Sequence, residues 1–231
     1  MSIAENIAQV RTNIAQACAQ AGRSPEEITL VGASKMNDAA ACREAIAAGI
    51  DALGENRVQE MTAKLADNAY DGAPLHFIGH LQRNKVKQVV GKVALIQSVG
   101  SMELLEEIEN VAAREQLVQD ILLEVNIGRE EAKSGFDPDA VTAAAEAALS
   151  LPHVRVRGLM TIPPADADRD ANMRYFQEVQ ALYVDINTKL FHNELKCLSM
   201  GMSGDYMDAI RCGATMVRVG TAIFGARNYN I

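Results

Sequence analysis

Eight short runs of β-branched and apolar residues, each followed by a longer stretch rich in Ala, Glu and Gln, most narrow what this 231-residue chain can become. The runs occupy 28–33, 52–54, 75–79, 94–98, 121–127, 154–161, 197–200 and 216–219 and read as strands. Between them, 38–49, 57–67, 81–90, 102–115, 138–150 and 170–190 have helical length and composition. Such alternation calls for a parallel α/β sheet, because parallel neighbours need a long crossover and a helix supplies it. Eight repeats within about 200 residues fit a closed (β/α)8 TIM-type barrel at the compact end of its range. Ahead of the barrel, Ile3, Ile7, Val10, Ile14 and Ala17 recur at helical spacing, which predicts an extra N-terminal helix over 1–22. A doubly wound sheet is the rival. It lacks its signature, since Val31-Gly32-Ala33-Ser34-Lys35 stands where a G-x-G-x-x-G turn would follow the first strand. No linker or low-complexity tract interrupts the pattern, so 1–231 reads as one barrel domain, with Pro163-Pro164-Ala165-Asp166 a loop after the sixth strand.

Charge then removes partner classes. With 22 basic against 30 acidic residues, a net charge of -8 and 4% aromatics, the chain is poorly suited to grip nucleic acid, and no nucleic-acid partner is expected. No apolar run approaches the roughly 18 residues of a membrane span. The first twenty residues carry Glu5 and Arg11 and no signal-peptide core, so a cytoplasmic protein without a membrane partner is expected. Cys18, Cys42, Cys197 and Cys212 are scattered and read as buried thiols. His76 and His80 have the spacing of a helical metal pair but flank a strand end, where that spacing does not converge two imidazoles. His153 and His192 fall in loop and surface contexts, and no metal site is expected. Arg83, Lys85, Lys87 and Lys92 read as the solvated face of a helix.

In a barrel of this kind the chemistry sits where strands end, so the residues immediately after each run carry the argument. Lys35 follows the first run and precedes a helix start at Asn37 or Asp38. It is either a surface lysine or a partly desolvated amine able to form a Schiff base with an aldehyde. After the seventh run, Ser199-Met200-Gly201-Met202-Ser203-Gly204-Asp205 offers hydroxyls and flexible backbone before a helix. After the eighth, Gly220-Thr221-Ala222 opens another short helix. Either loop alone is as well explained by turn formation, but together they occupy the usual phosphate position of such barrels. Arg218, two residues before Gly220, shares its direction on the strand and points into the mouth or into a salt bridge within the barrel. A cationic Arg facing a pyridine nitrogen would disfavour protonation of that nitrogen.

These segments resemble the pyridoxal phosphate homeostasis protein family, whose members have the alanine racemase-like barrel of fold-type III pyridoxal-phosphate enzymes. The similarity runs nearly end to end. It is carried by Val31-Gly32-Ala33-Ser34-Lys35, Gly54-Glu55-Asn56-Arg57-Val58-Gln59-Glu60, His76-Phe77-Ile78-Gly79-His80-Leu81-Gln82-Arg83-Asn84-Lys85, Lys133-Ser134-Gly135-Phe136, Gly158-Leu159-Met160-Thr161-Ile162-Pro163, Leu198-Ser199-Met200-Gly201-Met202-Ser203 and Val217-Arg218-Val219-Gly220-Thr221-Ala222-Ile223-Phe224-Gly225. The resemblance implies pyridoxal phosphate as cofactor, held as a Schiff base on Lys35, with Asn56 beside the ring and Arg218 near its nitrogen. It also implies Ser199, Ser203, Gly220 and Thr221 around the phosphate, and Met160 and Met200 lining the pocket. The implied role is intracellular buffering and delivery of the cofactor, with apo pyridoxal-phosphate enzymes as recipients and no dedicated catalytic residue. The chain departs from the family pattern at Gly100-Ser101, where an acidic and a basic residue are expected, and Gly204 is a permissive neighbour for Asp205.

Two enzymatic readings stand beside the carrier. An amino-acid racemase or decarboxylase of the same fold type would need proton-transfer groups on both faces of the substrate carbon, and Lys35 supplies one. Among Tyr70, Tyr175, Tyr183, Tyr206 and Tyr229, only Tyr206 follows the phosphate loop and is a candidate for the other. The racemase-like relatives add a β-rich second domain, whereas this chain ends at Ile231, soon after the eighth run, which favours a monomeric carrier. A sugar-phosphate isomerase or aldolase would share the lysine and the anion site but would not need Arg218.

Overall fold

The computed structural model describes residues 1–225, and in it the eight strands close on themselves in sequence order. They are β1 (Thr29–Ala33), β2 (Ala52–Glu55), β3 (Leu75–Phe77), β4 (Leu95–Val99), β5 (Gln119–Val125), β6 (Val154–Thr161), β7 (Cys197–Ser199) and β8 (Met216–Val219). All pairings are parallel, and β1 meets β8 with Val31 opposite Arg218, which closes the barrel. The chain thus has the (β/α)8 architecture that the alternation predicts.

Helices α1 (Ile3–Gln20), α2 (Ala39–Ala47), α3 (Val58–Ala66), α4 (Met102–Arg114), α5 (Val141–Ala148), α6 (Arg169–Leu190), α7 (Tyr206–Arg211) and α8 (Thr221–Phe224) surround the strands. Helix α1 starts at a capping box in which Ser2 and Glu5 satisfy each other's backbone donors, and it buries Ile7, Val10, Ile14, Ala17 and Cys18. It packs on α2, α7 and α8, bracing the seam where the last strand meets the first. Asn6 Nδ2 donates to the Ile223 carbonyl at 2.8 Å, and Arg11 pairs with Asp51.

The crossover from β3 to β4 differs from expectation. Residues 81–90 read as a helix, but only a 3-10 helix forms, over Arg83–Gln88, without a side-chain N-cap. Arg83 places positive charge at its first residue, against the helix dipole, and Val86, Val89 and Val90 are buried there. Its lysines and arginine are otherwise solvated, apart from a half-buried Lys85.

Alternation along the strands divides the interior. Leu30, Leu53, Phe77, Ile96, Leu123, Leu159, Leu198 and Val217 face the helical shell. Val31, Ala52, Leu95, Leu122, Met160 and Met216 form a separate cluster inside the barrel. Each such apolar side chain contributes roughly 1.5–3 kcal/mol on burial. Cys18, Cys42 and Cys212 are buried as read, but Cys197, at the start of β7, is only half-buried, because the strand begins at the rim of the barrel.

Candidate functional site

At the C-terminal mouth, the loops after β7 and β8 are tied together. Asp205 folds the first loop: Oδ1 accepts from the Met202 N–H at 2.6 Å, and Oδ2 accepts from Asn172 Nδ2 of α6 at 2.9 Å. The fold presents Ser203, whose Oγ accepts from the Gly220 N–H at 3.2 Å and the Ala222 N–H at 3.3 Å. Gly220 lies against Ala33 of β1, two residues before Lys35, and Thr221 is exposed at the start of α8. Backbone donors, a hydroxyl and the half-buried Lys35 therefore occupy one corner of the mouth. Gly204 faces open space, so its permissiveness has no steric consequence.

Beneath that corner Arg218 is 3% exposed and bound on two sides. One guanidinium nitrogen donates to Ser199 Oγ at 2.5 Å and another to the Thr161 carbonyl at 2.8 Å. Burial pulls its pKa down to about 10, while the charges of Glu124 and Asp205 oppose the fall, so it stays cationic at neutral pH. The Ser199 hydroxyl then donates to Gln97 Oε1 at 2.7 Å, and Gln97 Nε2 lies 3.0 Å from His76 Nδ1. Burial lowers the His76 pKa to about 4, which keeps the ring neutral and lets Nδ1 accept from the amide. A polar chain thus crosses the barrel above its apolar cluster, from β8 through β7 and β4 to β3. Gln97 and His76 escaped the sequence reading as site residues. Their signal was present, since each is a polar residue at an inward position of an otherwise apolar run.

On the β2 side, Asn56 is seated by Gly79. An added Cβ at Gly79 would come 2.2 Å from the Asn56 carbonyl oxygen, so no other residue allows the strand ends to approach this closely. The Asn56 Oδ1 is buried and makes no hydrogen bond. It lines a cavity of about 210 Å³ with His80, Glu124, Asn126, Lys133 and Ser134. Burial raises the Glu124 pKa, against the lowering effect of a 3.1 Å hydrogen bond from Ser134 and of the Arg218 and His80 charges. The Gly100 departure belongs here. A Cβ at Gly100 would fall 2.6 Å from the Gly135 nitrogen and 3.2 Å from Glu124 Oε2, so an acidic residue there would meet both backbone and a carboxylate.

The structure brings Lys35, Ser203, Gly220 and Thr221 together at the mouth and puts Arg218 below them. Ser199 lies within the barrel, with its hydroxyl shared between Arg218 and Gln97. Met160 lies in the interior cluster, whereas Met200 is fully buried in the shell core. One residue past Ser199, Met200 falls on the opposite face of the chain. Tyr206 is turned toward α1, where its hydroxyl accepts from Asn13 Nδ2 at 2.9 Å. His76 and His80 diverge, one buried and one exposed, while His153 pairs with Glu109 and His192 is exposed. Tyr229 lies outside the described residues.

Comparison with known proteins agrees with this geometry. Residues 6–228 match the family described as alanine racemase, N-terminal domain. A pyridoxal phosphate homeostasis protein of Aquifex aeolicus is 42% identical over 99% of this chain and 100% of its own length. The structure of PipY from Synechococcus elongatus with pyridoxal phosphate bound has a TM-score of 0.85 and 33% identity, covering 97% of this chain and all of that one. An alanine racemase of Clostridium difficile, at 17% identity and a TM-score of 0.73, covers 99% of this chain and 58% of that one, and shares the fold. A closed eight-stranded parallel barrel, a family match over residues 6–228 and full-length identity of this order place the chain in the pyridoxal phosphate homeostasis protein family, within the alanine racemase N-terminal domain fold.

Proposed function

We propose that this chain binds pyridoxal phosphate reversibly through Lys35 and serves homeostasis of that cofactor, keeping a reactive aldehyde sequestered and releasing it to apoenzymes. The observation that carries the reading is the shared corner: Ser203 and the Gly220 and Ala222 N–H groups gather beside the strand end that bears Lys35. The residues fit the group. Ser203, Gly220 and Thr221 would hold the phosphate, since a hydroxyl that accepts two N–H groups still has its own hydrogen to donate outward. Asn56 offers a buried amide oxygen with no other hydrogen bond, and Met160 closes the floor. Arg218, fixed by Ser199 and Thr161, would place positive charge near the ring nitrogen and disfavour its protonation. When bound, the cofactor supplies an aldehyde that condenses with the Lys35 amine and releases water. A weakly electron-withdrawing ring suits storage better than catalysis at an amino acid.

In the same reading the chain is a one-domain cytoplasmic monomer that acts without nucleic acid or membrane and carries no dedicated catalytic activity. Among the described residues no helix is long and apolar enough to cross a membrane. The test is an absorbance spectrum of the protein with pyridoxal phosphate, before and after borohydride, for wild type and Lys35→Ala, followed by a panel of L- and D-amino acids. The reading predicts a reducible band in wild type, its loss in K35A with weaker phosphate-dependent binding retained, and no racemised or decarboxylated product. Turnover of an amino acid would contradict the carrier, and an unchanged reducible band in K35A would contradict the lysine.

A further inference from the structure

Outside the barrel wall, directly behind Lys35, lies a charged cluster that the site itself does not use. Glu55 ends β2 with its side chain fully buried, and Oε1 accepts three hydrogen bonds: from Ser34 Oγ at 2.6 Å, Lys64 Nζ at 2.7 Å and the Tyr70 hydroxyl at 3.0 Å. Lys64, on α3 and 7% exposed, also donates to the Ser34 carbonyl at 2.9 Å and to Glu60 Oε1 at 3.1 Å. The same Glu60 oxygen accepts from the Met36 N–H. Burial works against the Lys64 charge, but the hydrogen bond and charge of Glu55, and then Glu60, outweigh it and raise its pKa.

These bonds converge on the two residues flanking Lys35. Ser34 has its hydroxyl on Glu55, its carbonyl on Lys64 and its N–H on the Gly54 carbonyl at 3.0 Å. Met36, held by Glu60, has φ +62, a left-handed conformation uncommon for a residue with this side chain. A buried ion cluster adds little net stability compared with apolar packing of similar volume, whereas it fixes the positions of the groups it joins.

We propose that Glu55, Lys64 and Glu60, with Tyr70 steadying Glu55, act as positioning residues for Lys35. They fix its backbone on both sides so that its amine meets the aldehyde of a ligand already anchored by its phosphate. The inference rests on the reading of Lys35 as the attachment point. It predicts a split between two probes of the full-length protein: pyridoxal phosphate, which can condense with the amine, and pyridoxine phosphate, which has the same ring and phosphate but no aldehyde.

Lys64→Met, which keeps the buried length and loses the donor, should weaken pyridoxal phosphate binding about tenfold while leaving pyridoxine phosphate within about twofold. Glu60→Ala, on a partly exposed helix position that tolerates Ala, should show the same split at about threefold. Glu60→Gln, which keeps an acceptor for Met36 and Lys64, should restore it. If K64M does not fold, the E60A and E60Q pair decides alone. Equal weakening of both probes, or no change in either, overturns the positioning role. Absence of a borohydride-fixed adduct at Lys35 in wild type defeats the attachment reading and the positioning role with it. An adduct of wild-type affinity in K64M and E60A defeats only the positioning role.

Discussion

The lower and upper halves of the barrel interior are built from the same strands but obey different rules. Below, Val31, Ala52, Leu95, Leu122 and Met216 fill the space with apolar side chains that need only volume and shape. Above, two residues further along the same strands, Gln97, Glu124 and Arg218 replace them, joined by Ser199 and His76. In the lower layer, error costs stability. In the upper layer Arg218, Ser199, Gln97 and His76 are committed to one another, so error there breaks a hydrogen-bonded chain. The strand period lets one barrel hold both, because successive inward positions differ in height.

Substitutions on either side of this boundary should separate. The largest effect belongs below: Leu122→Ala, fully buried, should lose about 2–5 kcal/mol in denaturant unfolding while the folded protein keeps its affinity for pyridoxal phosphate. Next comes the boundary itself. With the His76 pKa lowered to about 4 from 6.5, the unfolded chain binds a proton more readily than the native one between those values. Stability contributed by the neutral ring is therefore present above about pH 6.5 and is lost as pH falls toward 4, by up to about 3 kcal/mol. Urea melts across that range should show a flatter acid limb for His76→Gln than for wild type. Above, Arg218→Gln should shift the absorbance maximum of bound pyridoxal phosphate and its dependence on pH if, as proposed, its charge faces the ring nitrogen. The smallest effect is expected for Ser203→Ala, which removes the acceptor of two N–H groups. Its affinity for pyridoxine phosphate should fall by about 1 kcal/mol, or roughly fivefold, in a fluorescence titration.

Much of the lower half was legible in sequence, because its determinants are local. Alternating runs such as Leu30-Val31 and Leu122-Leu123 announce strands buried on both faces, and the spacing of Ile7, Val10 and Ile14 announces α1. The β3–β4 crossover was misread as a helix because its hydrophobic pattern is helical, while its start carries Arg83 and no side-chain N-cap. At the mouth, Lys35, Ser203 and Gly220 were readable as residues just beyond strand ends. Ser199 and Met200 were harder. They adjoin in sequence, but one enters the barrel and the other the shell, and strand register, not motif identity, decides which. The cluster of Glu55, Lys64 and Tyr70 could not be read at all. Its members are 9 and 15 residues apart and meet only because α3 and the turn after it fold back over the end of β2.

The attachment point of the aldehyde is the most direct test. Purified protein mixed with equimolar pyridoxal phosphate, reduced with borohydride, digested and mapped by mass spectrometry should carry one phosphopyridoxyl group, on the peptide containing Lys35. A group found on Lys133, in the cavity that Asn56 lines, or spread over exposed lysines, would contradict the assignment of β1 as the strand that leads to the attachment point.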